Sequence, residues 1–281
     1  EDWARLEDGE HLNDTLLDFF IGLLARALGG PHIHAFSSLF FTRLTSLGAS
    51  GGAEGWEHVR TWTRGARRAA PAGIFACEFL LVPVHHEDHQ HWSLAVVCRP
   101  WAAARGAGAV AEAAAQQQPQ GSSRGSTCVA FLNSLGIDDA AETRTLHFLR
   151  GYLAREWEDC VGPGAAGYIP TNVEAIQVEV PQQPNGFDCG IYVLEFVLQL
   201  LRNPQSLRSL GRTPVKLQDV GPSPRDRWRR AAAALRSAAQ MVPPPREEDE
   251  EGDTARKLVP PSAPLSGDGP ATWLDELLGP N

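Results

Sequence analysis

The segment Gln182-Gln183-Pro184-Asn185-Gly186-Phe187-Asp188-Cys189-Gly190 sets a thiol between a polar, turn-forming loop and an apolar run, Ile191 to Leu201, that reads as a helix buried on nearly every side. A helix N-terminus carries a partial positive charge and unpaired N–H groups. Both stabilise a thiolate, the form of cysteine that attacks a carbonyl carbon. Gly186 and Gly190 would let backbone and substrate approach the sulfur. Taken alone, the segment fits a buried cysteine at the tip of a core helix equally well, because free cysteines are among the most buried residues.

A nucleophile needs a base, and His91 stands at the mouth of an apolar run, Trp92 to Cys98, that reads as a strand. An imidazole there could take the thiol proton and return it to a leaving amine. Asn133 ends the next β-rich run, Cys128 to Leu132. If the two runs pair antiparallel, the start of one lies beside the end of the other, which brings Asn133 to His91 across 42 positions and lets it orient the ring. Gln183, six residues before Cys189, could supply an amide N–H to a developing oxyanion together with the Cys189 backbone N–H; by itself a loop glutamine reads as plain surface. His85, His86, Glu87, Asp88 and His89 read as a polar turn, and their spacing fits no familiar zinc pattern.

The elements that must position these groups follow from periodicity. Residues 10–28 predict a helix capped by Asn13 or Asp14, stopped by Gly29-Gly30-Pro31. Ile33 to Leu47 predicts a second helix, and 48–55 a glycine-rich loop before a short helix through Trp56 and Trp62. Strands are predicted at Glu78–Val84, Trp92–Cys98, Cys128–Leu132 and Ile176–Val180, and helices at Thr145–Trp157, Ile191–Leu201 and 225–241. Residues 203–222 read as an irregular link. The Arg-rich start of the last helix, with Arg225, Arg227, Arg229 and Arg230, reads as a solvated face.

Residues 101–127, rich in Ala, Gln, Gly and Ser, read as a disordered insertion between two strands, with a short Ala-rich helix over 108–115 as the alternative. The chain has 281 residues and a net charge of −9; six acidic residues between Glu247 and Asp253 supply most of it. Residues 1–242 are therefore expected to fold as one domain and 243–281 to form an acidic, Pro- and Gly-rich unstructured tail. No basic stripe interleaves with aromatics and no run of eighteen apolar residues occurs, so neither nucleic acid nor membrane is expected as a partner. Five cysteines with no CxxC pair argue against a disulfide framework or zinc site and for a reducing compartment.

Seven segments in order resemble the sentrin/SUMO-specific, or ubiquitin-like-specific, proteases of the adenain-like cysteine protease group. They are Leu12 to Phe20, His34 to Phe41, Val59 to Arg64, Phe79 to Val84, His91 to Val97, Asn133 to Gly136 and Gln182 to Gly190. The resemblance covers about residues 5–202. It implies a papain-like α+β fold, a central mixed sheet flanked by helices, with the nucleophile at the N-terminus of a buried helix. It implies Cys189 as nucleophile, His91 as base, Gln183 as oxyanion donor and Trp92 as a lid over a Gly-Gly tail. Two glycines are thin enough for a tunnel that side chains would block. The substrate surface would run through Trp92, His11, Asn13, Asp14, Phe36, Asn185 and Gly186. The implied activity is thiol-dependent cleavage after the Gly-Gly of SUMO by a monomer of nucleus or cytoplasm, with no cofactor or metal.

The chain departs from the family twice. Asn133 stands where an Asp is usual, and His11 where an aromatic often walls the tunnel. In a serine triad an Asp-to-Asn exchange costs on the order of ten-thousandfold, yet papain-like enzymes use Asn in this role. An active enzyme, slower than an Asp version, is expected; the alternatives are a protease for another ubiquitin-like modifier or, because of Asn133, a weakly active or inactive SUMO-binding module.

Overall fold

The runs of aliphatic and β-branched residues form the centre of the molecule, which is a computed structural model describing residues 2–46, 50–105, 125–162, 167–241 and Leu278. Five strands, β1 (Ile33–Ala35), β2 (Phe79–His86), β3 (His91–Cys98), β4 (Cys128–Leu132) and β5 (Glu174–Gln177), lie side by side in chain order. The central pairs β2–β3 and β3–β4 are antiparallel, and the outer pairs β1–β2 and β4–β5 are parallel. Every residue of β3 is buried, as a central strand covered on both faces requires. The mixed sheet with helices on both sides is the α+β architecture expected.

Alternate side chains feed two cores. Leu94, Val96 and Cys98 face α1 (Asp14–Leu24), α6 (Cys189–Arg202) and α8 (Pro224–Met241); Ala95 and Val97 face α2 (Leu39–Leu44), α3 (Gly52–Val59) and α5 (Asp139–Val161). Two further short α-helices are α4 (Arg64–Ala69) and α7 (Pro204–Ser209). Asn13 caps α1, its side chain accepting from the Leu16 N–H. Trp228 of α8 is fully buried, and its indole N–H donates to Glu195 of α6 at 2.8 Å. Burial pushes the Glu195 carboxyl up to about 7, against the pull of Arg227.

Several elements differ from expectation for reasons of tertiary pairing. Ile33–Ala35 is a strand because Phe79–Leu81 offers it a parallel edge; only Leu39–Leu44 of the predicted second helix is helical. The helix expected at Trp56 begins at Gly52, where a Cβ would meet the Phe148 carbonyl oxygen at 1.7 Å, so glycine permits the approach to α5. The last strand lies at Glu174–Gln177, set by pairing with Cys128–Phe131. The 203–222 link contains α7, capped by Asn203. The insertion is narrower than 101–127, because Trp101, Ala103 and Thr127 are buried; both readings of its interior fall on residues outside those described. Of the four arginines that open α8, Arg230 is exposed as a solvated face requires, and the other three are engaged with the protein. Arg225 is buried, and Arg227 and Arg229 pair with Glu195 and Asp8. Of the tail, Leu278 is buried in the first core, and the acidic run lies outside the described residues.

Candidate active site

Cys189 is the first residue of α6, and its sulfur meets the backbone N–H groups of Trp92, Gly190 and Cys189 itself. The side chain is 1 % exposed. Burial pushes the thiol above its ordinary value; the three N–H groups pull it down, and the Asp188 carboxylate adds a smaller upward push. The helix tip thus supplies the expected N–H groups, but burial outweighs them.

The Trp92 N–H belongs to the residue after His91, so the sulfur lies against the strand mouth that carries the imidazole. His91 Nε2 is 2.7 Å from Asn133 Oδ1. That oxygen also accepts the Leu135 N–H at 3.0 Å, which fixes the amide's orientation and requires the proton on Nε2. Nδ1 is left as the basic nitrogen. Burial lowers the His91 pKa, and the Asn133 bond partly restores it. His86 stacks on His91 with ring centres 5.6 Å apart and is itself held by Ser93 at 2.7 Å. Asp138 caps α5, accepting the Ala141 N–H at 3.0 Å.

Gln183 is buried beside this pair. Its Oε1 accepts from Ser134 Oγ at 2.6 Å, and its Nε2 donates to the Asn185 carbonyl at 2.6 Å, which leaves the second amide N–H. The loop before the thiol is organised by Asn185, whose Oδ1 accepts from the N–H groups of Phe187 and Asp188 and whose Nδ2 donates to Asp188 Oδ2. Asn185 is therefore a scaffold of the loop. Gly186 is exposed, and a Cβ there would meet open space; the close approach is at Gly190, where a Cβ would lie 2.6 Å from Leu12 Cβ.

Trp92 is buried, its indole N–H donating to the Leu12 carbonyl at 3.0 Å and its ring 4.4 Å from that of His85. His11, beside Leu12, is half-buried, and its Nδ1 meets no hydrogen-bond partner among the described residues. Asn13 and Asp14 are half-buried at the start of α1. Phe36 is 5 % exposed and stacks on Phe40, ring centres 3.9 Å apart, within the second core.

Sequence reasoning missed Leu12, Ser134, Asp188 and Arg225. Ser134 and Asp188 directly follow and precede residues already singled out, so adjacency was their signal. Arg225 carried none, because four of its five bonds go to backbone carbonyls.

A papain-like thiol-peptidase scaffold, with a sulfur at a helix tip and an amide-oriented imidazole at a strand mouth, is what the fold presents. The model of the Ulp1 protease family, C-terminal catalytic domain, matches residues 10–219, and the chain belongs to that family. It is 30 % identical over 239 residues to ubiquitin-like-specific protease 2 of Schizosaccharomyces pombe, covering 76 % of this chain and 35 % of the relative. It is 27 % identical over 260 residues to human sentrin-specific protease 7, covering 73 % of this chain and 23 % of the relative. The chain thus spans about a third or less of these relatives. In fold it is similar to a crystal structure of a de-sumoylating protease (TM-score 0.55, 19 % identity, 75 % of this chain and 70 % of that one). It is similar also to the SUMO protease Ulp1 with its catalytic cysteine as sulfenic acid (TM-score 0.54, 22 % identity, 84 % and 81 %).

Proposed function

We propose that this chain is the catalytic domain of a cysteine protease that cleaves after the C-terminal Gly-Gly of SUMO, in precursors or conjugates. The observation that carries the reading is the 2.7 Å bond from His91 to Asn133 beside a thiol lodged against the Trp92 N–H. The names of the relatives, sentrin-specific and ubiquitin-like-specific proteases, supply the substrate class.

The chemistry follows from the atoms. Burial lifts the thiol and lowers the imidazole, which favours the neutral pair, and His91 acts as a general base. Cys189 Sγ bonds to the carbonyl carbon of the last glycine as its proton passes to Nδ1. The free N–H of Gln183 and the Cys189 N–H receive the oxyanion. The C–N bond breaks, His91 returns the proton to the leaving amine, and water hydrolyses the thioester. Trp92, pinned to Leu12, walls the passage for the glycines.

The test is a panel of SUMO and other ubiquitin-like modifiers carrying a C-terminal electrophile. A covalent adduct with SUMO, lost in Cys189→Ala, is expected. Adduct formation by Cys189→Ala would remove that residue from the nucleophile's role. Reaction with another modifier in place of SUMO would overturn the substrate.

A further inference from the structure

Arg225 lies 36 residues beyond the nucleophile on α8, yet all five of its guanidinium N–H groups converge on the nucleophile loop and the N-terminal segment. Nε donates to Asp188 Oδ1 at 2.7 Å. Nη1 donates to the carbonyls of Arg5 and Glu7 at 3.1 and 3.0 Å. Nη2 donates to the carbonyls of Glu10 and Phe187 at 2.7 and 3.3 Å. Arg225 is 4 % exposed and Asp188 7 % exposed. A guanidinium with every donor satisfied is a rigid fork that lysine cannot reproduce.

We propose that Arg225 is a positioning residue for Cys189, seating the nucleophile loop against the N-terminal segment and neutralising the Asp188 carboxylate next to the thiol. The proposal rests on the assignment of Cys189 as nucleophile. Asp188 is the cap residue of α6, immediately before the sulfur, and its other oxygen is held by Asn185. An unneutralised charge there would oppose formation of a second negative charge on the sulfur. The fork also fixes the Glu10 carbonyl, two residues before the Leu12 carbonyl that pins Trp92, so one side chain ties the thiol loop and the tunnel wall to the last helix. Other titratable or charged groups around this cluster are Tyr192 on α6, which feels Asp188, Asp219 and Glu195, and Glu7 and Asp8 of the N-terminal segment, which pair with Arg229 of α8. Among them Glu195 is already paired with Arg227.

The experiment measures the rate of iodoacetamide alkylation of Cys189 against pH in the intact chain, a readout that needs no modifier substrate. Thermal midpoints are recorded alongside. Arg225→Met is expected to slow alkylation at pH 7 about tenfold by moving the thiolate midpoint upward, and Asp188→Asn to speed it by a similar factor. The double variant should return near the wild-type midpoint. Arg225→Lys should keep the midpoint while lowering thermal stability and turnover. A folded Arg225→Met with an unmoved midpoint would overturn the proposal. If Arg225→Met does not fold, Asp188→Asn decides alone, and an unmoved midpoint there has the same force. Wild-type alkylation at Cys189 without cleavage of SUMO would instead count against the proposed substrate and leave the Arg225 result readable.

Discussion

Replacing Asn133 by Asp changes one charge and almost no shape. The oxygen that faces His91 Nε2 at 2.7 Å and the Leu135 N–H at 3.0 Å is present in both side chains. What is added is a carboxylate against the ring nitrogen that already bears the proton. An opposite charge within about 4–6 Å typically moves a pKa by 1–3 units, so the imidazolium should gain about 1.4–4 kcal/mol relative to imidazole, less the cost of burying the new carboxylate. In the present protein burial holds His91 below its ordinary value and Cys189 above it, which favours the neutral pair. The carboxylate reverses the first of these and, through the imidazolium, opposes the second.

The expected result is a thiolate–imidazolium pair populated at lower pH. Alkylation of Cys189 at pH 6 should rise about tenfold or more, with cleavage of a SUMO C-terminal amide rising less, because the wild-type base already completes the proton transfer during attack. The sign in stability follows. If His91 titrates higher in the folded variant than when unfolded, protonation adds stability below the unfolded value, 6.5, and that increment is lost as pH rises through the folded value. An alkylation profile for folded Asn133→Asp that overlays the wild-type profile would show that the group oriented by Asn133 is not the base serving Cys189.

Three further outcomes follow from the geometry. Ser134→Ala removes the 2.6 Å bond that holds Gln183 Oε1; turnover should fall roughly five- to thirtyfold with little change in KM, and a KM effect alone would place Gln183 outside the reaction. Gly190→Ala puts a methyl 2.6 Å from Leu12 Cβ and 3.5 Å from Trp92 Cδ1, so the variant should lose about 1–3 kcal/mol in denaturant unfolding and bind Gly-Gly substrates more weakly; an unchanged KM would detach Leu12 and Trp92 from the tunnel. Glu195, raised by burial to about 7, gives stability fully present below its unfolded value near 4.5 and lost as pH rises through 7, so Glu195→Gln should flatten the unfolding free energy between pH 5 and 8.

The sequence disclosed those parts of the site that depend on local chemistry and strand order. Cys189 at a helix tip and Asn133 at the exit of a strand were legible because turn residues and apolar periods mark element ends, and antiparallel pairing then dictates that Asn133 meets His91. Illegible were contacts made through backbone atoms. The Leu12 carbonyl under Trp92 and the carbonyls gathered by Arg225 have no side-chain signature, and the arginines of α8 follow the same helical spacing a solvated face would show. Ile33–Ala35 was misread because a short apolar run fits helix or strand until an edge is available to pair with. A family motif reports a residue's position in the fold, while its exposure depends on what covers it: Phe36 packs into the second core, which its motif did not disclose.

The base and the oxyanion amide are held from one place. Asn133 binds His91 and its neighbour Ser134 binds Gln183, both directly after Leu132, which lies opposite Leu94 in the sheet. The spacing of the two groups is thus set by strand register, and a slip of one residue would turn every side chain of β4 to the other face and destroy both cores at once. The same register puts Cys98 opposite Cys128 at the far end of the hairpin. A change at that end is kept away from His91, Asn133 and Gln183, whereas any change at the Leu94–Leu132 end reaches the reacting atoms directly.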